Sequence, residues 1–147
     1  MLHTSYIELS KSALKNNISY MRDNLSNGAR YSMVIKGNAY GHGIETIIPM
    51  AEELGIDHFS VFSVAEAVRA TKVKQSFCDI MIMGWIDNDQ LEWAILNEVS
   101  FYVFTFDRLK AATSAARKLK KKAKIHLELE TGMHRTGFSE ANVGKLT

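Results

Sequence analysis

The sequence predicts an α/β protein built on a parallel sheet. Two observations carry that prediction. Short apolar runs rich in Val, Ile, Phe and Met recur at Tyr31–Ile35, His58–Phe62, Ile80–Met83, Phe101–Phe104 and Ile125–Leu129. Amphipathic stretches opened by helix-capping residues stand between them. Such runs suit strands buried on both faces, because a parallel sheet covered by helices has no wet side.

The elements follow in order. Leu14, Ile18, Met21 and Leu25 repeat at helical spacing, with Ser10 as the N-cap. The run Tyr31–Ile35 is the first strand. Thr46 to Leu54 reads as a helix closed by Gly55, with Pro49 placed in its first turn, where a missing N–H costs little. Ser63 and Glu66 form a capping box that starts a helix through about Thr71. Asp87 and Gln90 open another through about Asn97, and Asp107 opens the next, with Leu109, Ala112, Ala116 and Leu119 as its apolar stripe. Repeated βα units of roughly 20 to 27 residues give either a doubly wound sheet or a (β/α)8 barrel, and the pattern alone does not choose. A barrel needs roughly 200 residues or more, so 147 residues hold too few units to close one. No linker interrupts residues 1–147, which therefore read as one domain, with its completeness left open.

Composition narrows the function classes. The chain has 18 basic and 16 acidic residues, a formal charge of +2, which implies no nucleic-acid or membrane partner. A single cysteine excludes an internal disulfide framework and fits a reducing, cytoplasmic setting. Met1 to Ser12 shows no apolar signal region, and no stretch approaches the roughly 18 apolar residues of a membrane helix. The basic run Lys118, Lys120, Lys121, Lys122 and Lys124 reads as a solvated helix end. Cys78 reads as a small buried residue, and Trp85 and Trp93 as packing between barrel and helices.

Two segments carry chemistry. In Val34-Ile35-Lys36-Gly37-Asn38-Ala39-Tyr40-Gly41-His42-Gly43 a buried strand ends on a lysine and runs into a glycine-rich turn. Active sites gather at the C-terminal ends of barrel strands. Apolar surroundings disfavour an ammonium, and a free amine is what a Schiff base requires. Tyr40 can offer a hydroxyl to an anion beside the turn. The plain alternative is a surface lysine followed by an ordinary turn. His42 has no companion at metal-ligand spacing and suits a packing or hydrogen-bonding role. In Glu128-Leu129-Glu130-Thr131-Gly132-Met133-His134-Arg135-Thr136-Gly137-Phe138 a strand runs into a glycine turn carrying an arginine. Alternation puts Glu128 and Glu130 on one strand face and Leu127 and Leu129 on the other. Buried carboxylates there need cations, and Arg135 is the natural partner; the alternative is an edge strand with a wet acidic face. His134 is a further donor that could line such a site.

Taken together, these segments resemble the alanine racemase family. Val34–Gly43 is similar to its pyridoxal-phosphate lysine motif, and Thr131–Gly137 to its T-G-M-x-R-x-G motif. Thr4-Ser5-Tyr6-Ile7-Glu8-Leu9 and Leu14-Lys15-Asn16-Asn17-Ile18 resemble the family's first strand and helix. The resemblance implies a β/α barrel followed by a β-rich domain, working as a homodimer, with about five of eight barrel units in this chain and the C-terminal β domain absent from it. It implies that Lys36 binds pyridoxal 5'-phosphate and acts as base and acid on one face of an amino-acid substrate's Cα. A partner-subunit tyrosine, not in this chain, would serve the other face. It implies that Tyr40 contacts the phosphate and that Arg135 contacts the cofactor's phenolate side and the substrate carboxylate. Many members carry a carboxylated lysine where Glu128 stands, so Glu128 is expected to orient Arg135 instead. The usual aspartate is Glu130 here and the usual alanine is Gly37. The expected activity is racemisation of alanine, supplying D-alanine for the bacterial cell wall, with the isolated chain inactive. The alternatives are a racemase of broader specificity, for example towards serine, and a catalytically incomplete piece with a structural or binding role.

Overall fold

A computed structural model describes residues 5–26 and 28–146. The elements are α1 (Lys11–Asp23), β1 (Met33–Val34), α2 (Lys36–Tyr40), α3 (Ile44–Glu52), β2 (His58–Val61), α4 (Val64–Val73), β3 (Asp79–Ile82), a 3-10 turn (Asn88–Gln90) running into α5 (Leu91–Leu96), β4 (Ser100–Val103), α6 (Phe106–Leu119), β5 (Ile125–Leu127) and α7 (Glu140–Val143). All four strand pairings are parallel, in the order β1-β2-β3-β4-β5. That order decides between the two architectures. A doubly wound sheet reverses direction at a switch point, whereas a barrel adds each strand beside the last. The five units form an arc of a β/α barrel.

The two sheet faces differ as a barrel wall requires. Phe59, Val61, Ile80, Ile82, Phe101 and Val103 form one row set and are essentially fully buried. They pack with helix residues such as Ile48, Ala67, Leu91 and Ala112 in one continuous core. The opposite face carries polar groups. Ser32 and Ser60 share a hydroxyl–hydroxyl bond of 2.6 Å, and His58 Nδ1 lies 2.7 Å from Ser32 Oγ. Burial, and after it the charge of Arg30, hold the His58 imidazole below its usual range. At the N-terminal ends of the strands, Arg30 bridges Asp57 and Asp79, and Lys124 reaches Asp79 and Glu98. In barrels this end serves stability, and chemistry gathers at the other.

The caps explain most helix starts. Ser10 Oγ accepts from the Ala13 N–H at 3.2 Å, and the Ser63–Glu66 box is complete. Several expectations need correction. α3 begins after Gly43, so Pro49 lies in its second turn rather than its first. The lost bond there is tolerated because Ile44, Ile47, Ile48 and Ala51 bury the helix's apolar face. α6 is capped by Thr105, whose hydroxyl accepts from Arg108 N–H, and Asp107 only occupies the first turn. Ser5–Leu9 form no strand, and Tyr6 and Ile7 are exposed with no described strand beside them; Thr4 lies outside the described residues. Trp93 packs against the core, but Trp85 is half exposed at the C-terminal end of β3. Cys78 is buried, and burial before all else pushes its thiol up to about 12.

Candidate functional site

The lysine turn is built from an uncommon backbone. Strand pairing persists one residue past β1, where the Ile35 N–H donates to Ser60 O at 2.8 Å. Lys36 follows, half-buried, and the chain then turns left-handed. Gly37, Asn38, Ala39 and Tyr40 have φ of 60°, 57°, 55° and 52°. α2 is therefore one left-handed turn. Each non-glycine residue there costs about 1–2 kcal/mol, so the surroundings must hold it.

They do so from several directions. Ala39 N–H donates to Ile35 O at 2.8 Å, Gly41 N–H to Gly37 O at 3.0 Å and Gly43 N–H to Asn38 O at 2.9 Å. His42 Nδ1 lies 2.7 Å from Ala39 O, so its expected hydrogen-bonding role is met within the turn. Asn38 Oδ1 accepts from Ile44 N–H at 3.2 Å and from Arg69 at 2.6 Å. Glu66 accepts from Gly37 N–H at 2.7 Å with one oxygen and from Phe62 N–H at 2.8 Å with the other. Arg69 also pairs with Glu45 through two bonds, which hold that carboxyl down at about 2. Among the described residues the Lys36 amine makes no hydrogen bond or ion pair, and the space beside Gly37 and Gly41 is open. Tyr40 is exposed and borders a groove of about 480 Å³ with Val34 and His42.

The arginine loop closes on itself. Past β5, Glu130 N–H donates to Phe138 O at 2.9 Å and Phe138 N–H to Glu128 O at 2.8 Å. Gly137 sits in the gap at φ 116°, where a Cβ would lie 2.6 Å from Glu130 N and 2.8 Å from the Leu129 carbonyl carbon. Only glycine lets the two backbones approach this closely. Phe138, buried, anchors the return edge-to-face on Phe106, with centroids 5.0 Å apart. Inside the loop, the Glu130 carboxylate accepts from Gly132 N–H at 2.5 Å and Arg135 N–H at 3.2 Å. Backbone N–H groups, His134's and Gly132's foremost, hold the Glu130 carboxyl below its usual range.

The expected Glu128–Arg135 pair is not what the structure contains. Thr136 donates its hydroxyl to Glu128 Oε1 at 2.6 Å. Closing the loop at Gly137 brings Thr136 over Glu128, while Arg135 stays exposed and makes no ion pair among the described residues. His134 is likewise exposed, at φ 55°. Leu127 and Leu129 are exposed on the helix-side face, and Glu128 and Glu130 are half-buried on the other, in the alternation expected.

Between these segments stand the ends of β3 and β4. Gly84 lets β3 pass Phe62, since a Cβ there would lie 2.4 Å from Phe62 O. Trp85 packs on Phe104 with centroids 5.6 Å apart and lies under the buried Arg108 guanidinium at 4.3 Å. Arg108 donates to Asn88 Oδ1 at 2.8 Å, and burial lowers its affinity for the proton.

Because all five strands are parallel, Lys36 and Arg135 lie at the same end of the sheet. In an eight-stranded β/α barrel the first and fifth strands stand opposite each other, and active sites gather at the C-terminal face they share. The motifs were legible in the sequence; Glu66 and Arg69 as supports of the lysine turn were not. Glu66 was legible only as a cap. Its i,i+3 spacing to Arg69 on one helix face was the available signal. Among the described residues no group of three His, Cys, Asp or Glu could hold a metal, and no helix is long and apolar enough to cross a membrane.

The sequence model of the alanine racemase N-terminal domain family matches residues 9–147. The chain belongs to that family. An alanine racemase from Lactobacillus delbrueckii subsp. bulgaricus is 34% identical over 134 residues, covering 91% of this chain and 35% of the relative. One from Methanococcus maripaludis is 30% identical over 136 residues, covering 92% and 36%. The solved alanine racemase from Oenococcus oeni superposes with a TM-score of 0.79 at 30% identity, covering 89% of this chain and 37% of that one. A histidine racemase from Leuconostoc mesenteroides subsp. sake gives a TM-score of 0.79 at 25% identity, covering 88% and 34%. This racemase-family chain thus spans about a third of the length of the relatives it matches.

Proposed function

We propose that residues 1–147 are the N-terminal portion of a pyridoxal-phosphate-binding barrel domain in an amino-acid racemase, acting between L- and D-alanine. The observation that carries this is the lysine turn. An amine without an ion pair among the described residues ends the first strand, and a costly left-handed backbone is maintained around it. Lys36 would hold the cofactor. The exposed Tyr40 hydroxyl would meet its phosphate. The Arg135 guanidinium, with no carboxylate committed to it among the described residues, is a donor for the ring oxygen or a substrate carboxylate. A Cβ at Gly37 or Gly132 would meet nothing within 4 Å, so the backbone there does not obstruct a ligand. When bound, pyridoxal phosphate supplies the electron sink that makes Cα acidic. Lys36 then takes or returns a proton on one face of Cα, and Glu130 keeps the Arg135 loop closed. Glu128, held by Thr136, supports that loop, and His134 stands on its rim.

The reading extends to a cytoplasmic homodimer of the longer protein that supplies D-alanine for cell-wall synthesis. A racemase of other amino acids is the second reading, favoured by the likeness to a histidine racemase. Titrating the chain and its Lys36→Ala variant with pyridoxal phosphate, followed by absorbance, tests the cofactor assignment. A saturable new band in the parent chain and none in the variant is expected. Equal spectra would refute it.

A further inference from the structure

We propose that Glu66 and Arg69, one turn apart on α4, are a two-point clamp that positions Lys36. Both reach out of the second βα unit to the lysine turn of the first. Glu66 Oε1 takes the Gly37 N–H at 2.7 Å, at the point where the backbone goes left-handed. Its Oε2 takes the Phe62 N–H at 2.8 Å, so the same carboxylate is tied to the end of β2. Arg69 grips the far side of the turn, donating to Asn38 Oδ1 at 2.6 Å. Asn38 Oδ1 also receives the Ile44 N–H at 3.2 Å, which fixes the exit into α3. Glu45 at the start of α3 holds Arg69 in place through bonds of 2.6 and 2.7 Å.

The physical argument is one of competing backbone states. Asn38, Ala39 and Tyr40 would each relax to a right-handed or extended conformation if the turn were free. Relaxation would rotate the Lys36 side chain away from the barrel mouth, because the residue sits at the junction. The turn's internal bonds span only residues 35 to 43; Ile35 N–H on Ser60 O ties its entry to β2 and the buried Ala39 seats it on the core. Glu66 and Arg69 add the side-chain ties to Gly37 and Asn38, where the backbone is left-handed. They act through Gly37 and Asn38 and are positioning residues.

Two measurements on the full chain test this, using Glu66→Ala, Arg69→Ala, Glu66→Gln and, as a control, Glu92→Ala, which removes a surface pair with Lys118 far from the turn. The first is amide hydrogen exchange, which needs no cofactor. Loss of a hydrogen bond to a charged group corresponds to roughly tenfold or more. Exchange at Ala39, Gly41 and Gly43 is expected to accelerate about tenfold in the two alanine variants, with Phe101 and the far-UV circular dichroism unchanged. The second is pyridoxal-phosphate titration, which rests on the proposed cofactor reading. Half-saturation is expected to weaken about tenfold in both alanine variants, to recover most of its strength in Glu66→Gln, which keeps one accepting oxygen, and to stay unchanged in Glu92→Ala. Unchanged exchange at those three amides in folded alanine variants would overturn the clamp. Faster exchange with unchanged half-saturation would overturn the positioning of Lys36. If the parent chain itself shows no saturable binding, the cofactor reading fails separately, and the exchange rates alone decide the clamp.

Discussion

Two glycines in one loop separate backbone strain from steric contact. Gly132 and Gly137 both have positive φ, 128° and 116°. A Cβ at Gly132 would meet nothing within 4 Å, whereas one at Gly137 would press on Glu130 N at 2.6 Å and on the Leu129 carbonyl carbon at 2.8 Å. Substituting alanine at either site reduces the freedom of the unfolded chain alike, so that effect cancels in the comparison. Gly132→Ala then meets only the conformational penalty, about 1–3 kcal/mol. Gly137→Ala adds an overpacking cost of about 1–3 kcal/mol, because the obstructing atoms are backbone and cannot swing aside. The expected gap between the variants is therefore about 1–3 kcal/mol, with Gly137→Ala the less stable. Denaturant unfolding of both proteins, compared by midpoint at constant slope, measures it. Equal midpoints, or a lower one for Gly132→Ala, would refute the close-approach argument and the loop closure that presents Arg135.

Other consequences are as direct. The folded-state His58 proton affinity is depressed by burial and by Arg30, so below the free-histidine pKa of about 6.5 the unfolded chain binds the proton that the folded chain refuses. Stability is expected to be fully present above that pH and to fall as the pH drops towards the folded-state value, and His58→Gln is expected to flatten the slope just below about pH 6.5. Phe101, fully buried between β4 and the helices, is expected to lose about 3–5 kcal/mol on truncation to alanine, read as a shift in unfolding midpoint. On the proposed function, which requires an acid on the opposite face of Cα that neither motif supplies, racemisation by the 147-residue chain alone is expected to be far below that of the longer relatives; turnover at a comparable rate in a D-alanine assay would contradict this.

What the sequence disclosed follows from where the physics is local. Strand runs such as His58–Phe62 and Ile80–Met83 appear within a residue of their observed ends, because burial on both faces writes a continuous apolar run. Ser10 and Ser63 were legible because a cap is made by neighbours a few residues apart. Pro49 and Asp107 were misplaced by a few residues, since Gly43 and Thr105 compete for the same helix starts. The site was legible as two motifs but not as an assembly. Glu66 reaches Gly37 across 29 positions, and Thr136 meets Glu128 only once Gly137 has folded the loop back. Neither partner is named by local spacing, although the i,i+3 pair of Glu66 and Arg69 marks one helix face.

Borohydride reduction of the chain with pyridoxal phosphate, followed by peptide mapping, addresses the central proposal most directly. The label is expected on Lys36, in the peptide that spans the left-handed turn. Label spread over surface lysines such as Lys118, Lys120 and Lys121, with Lys36 unmodified, would contradict it.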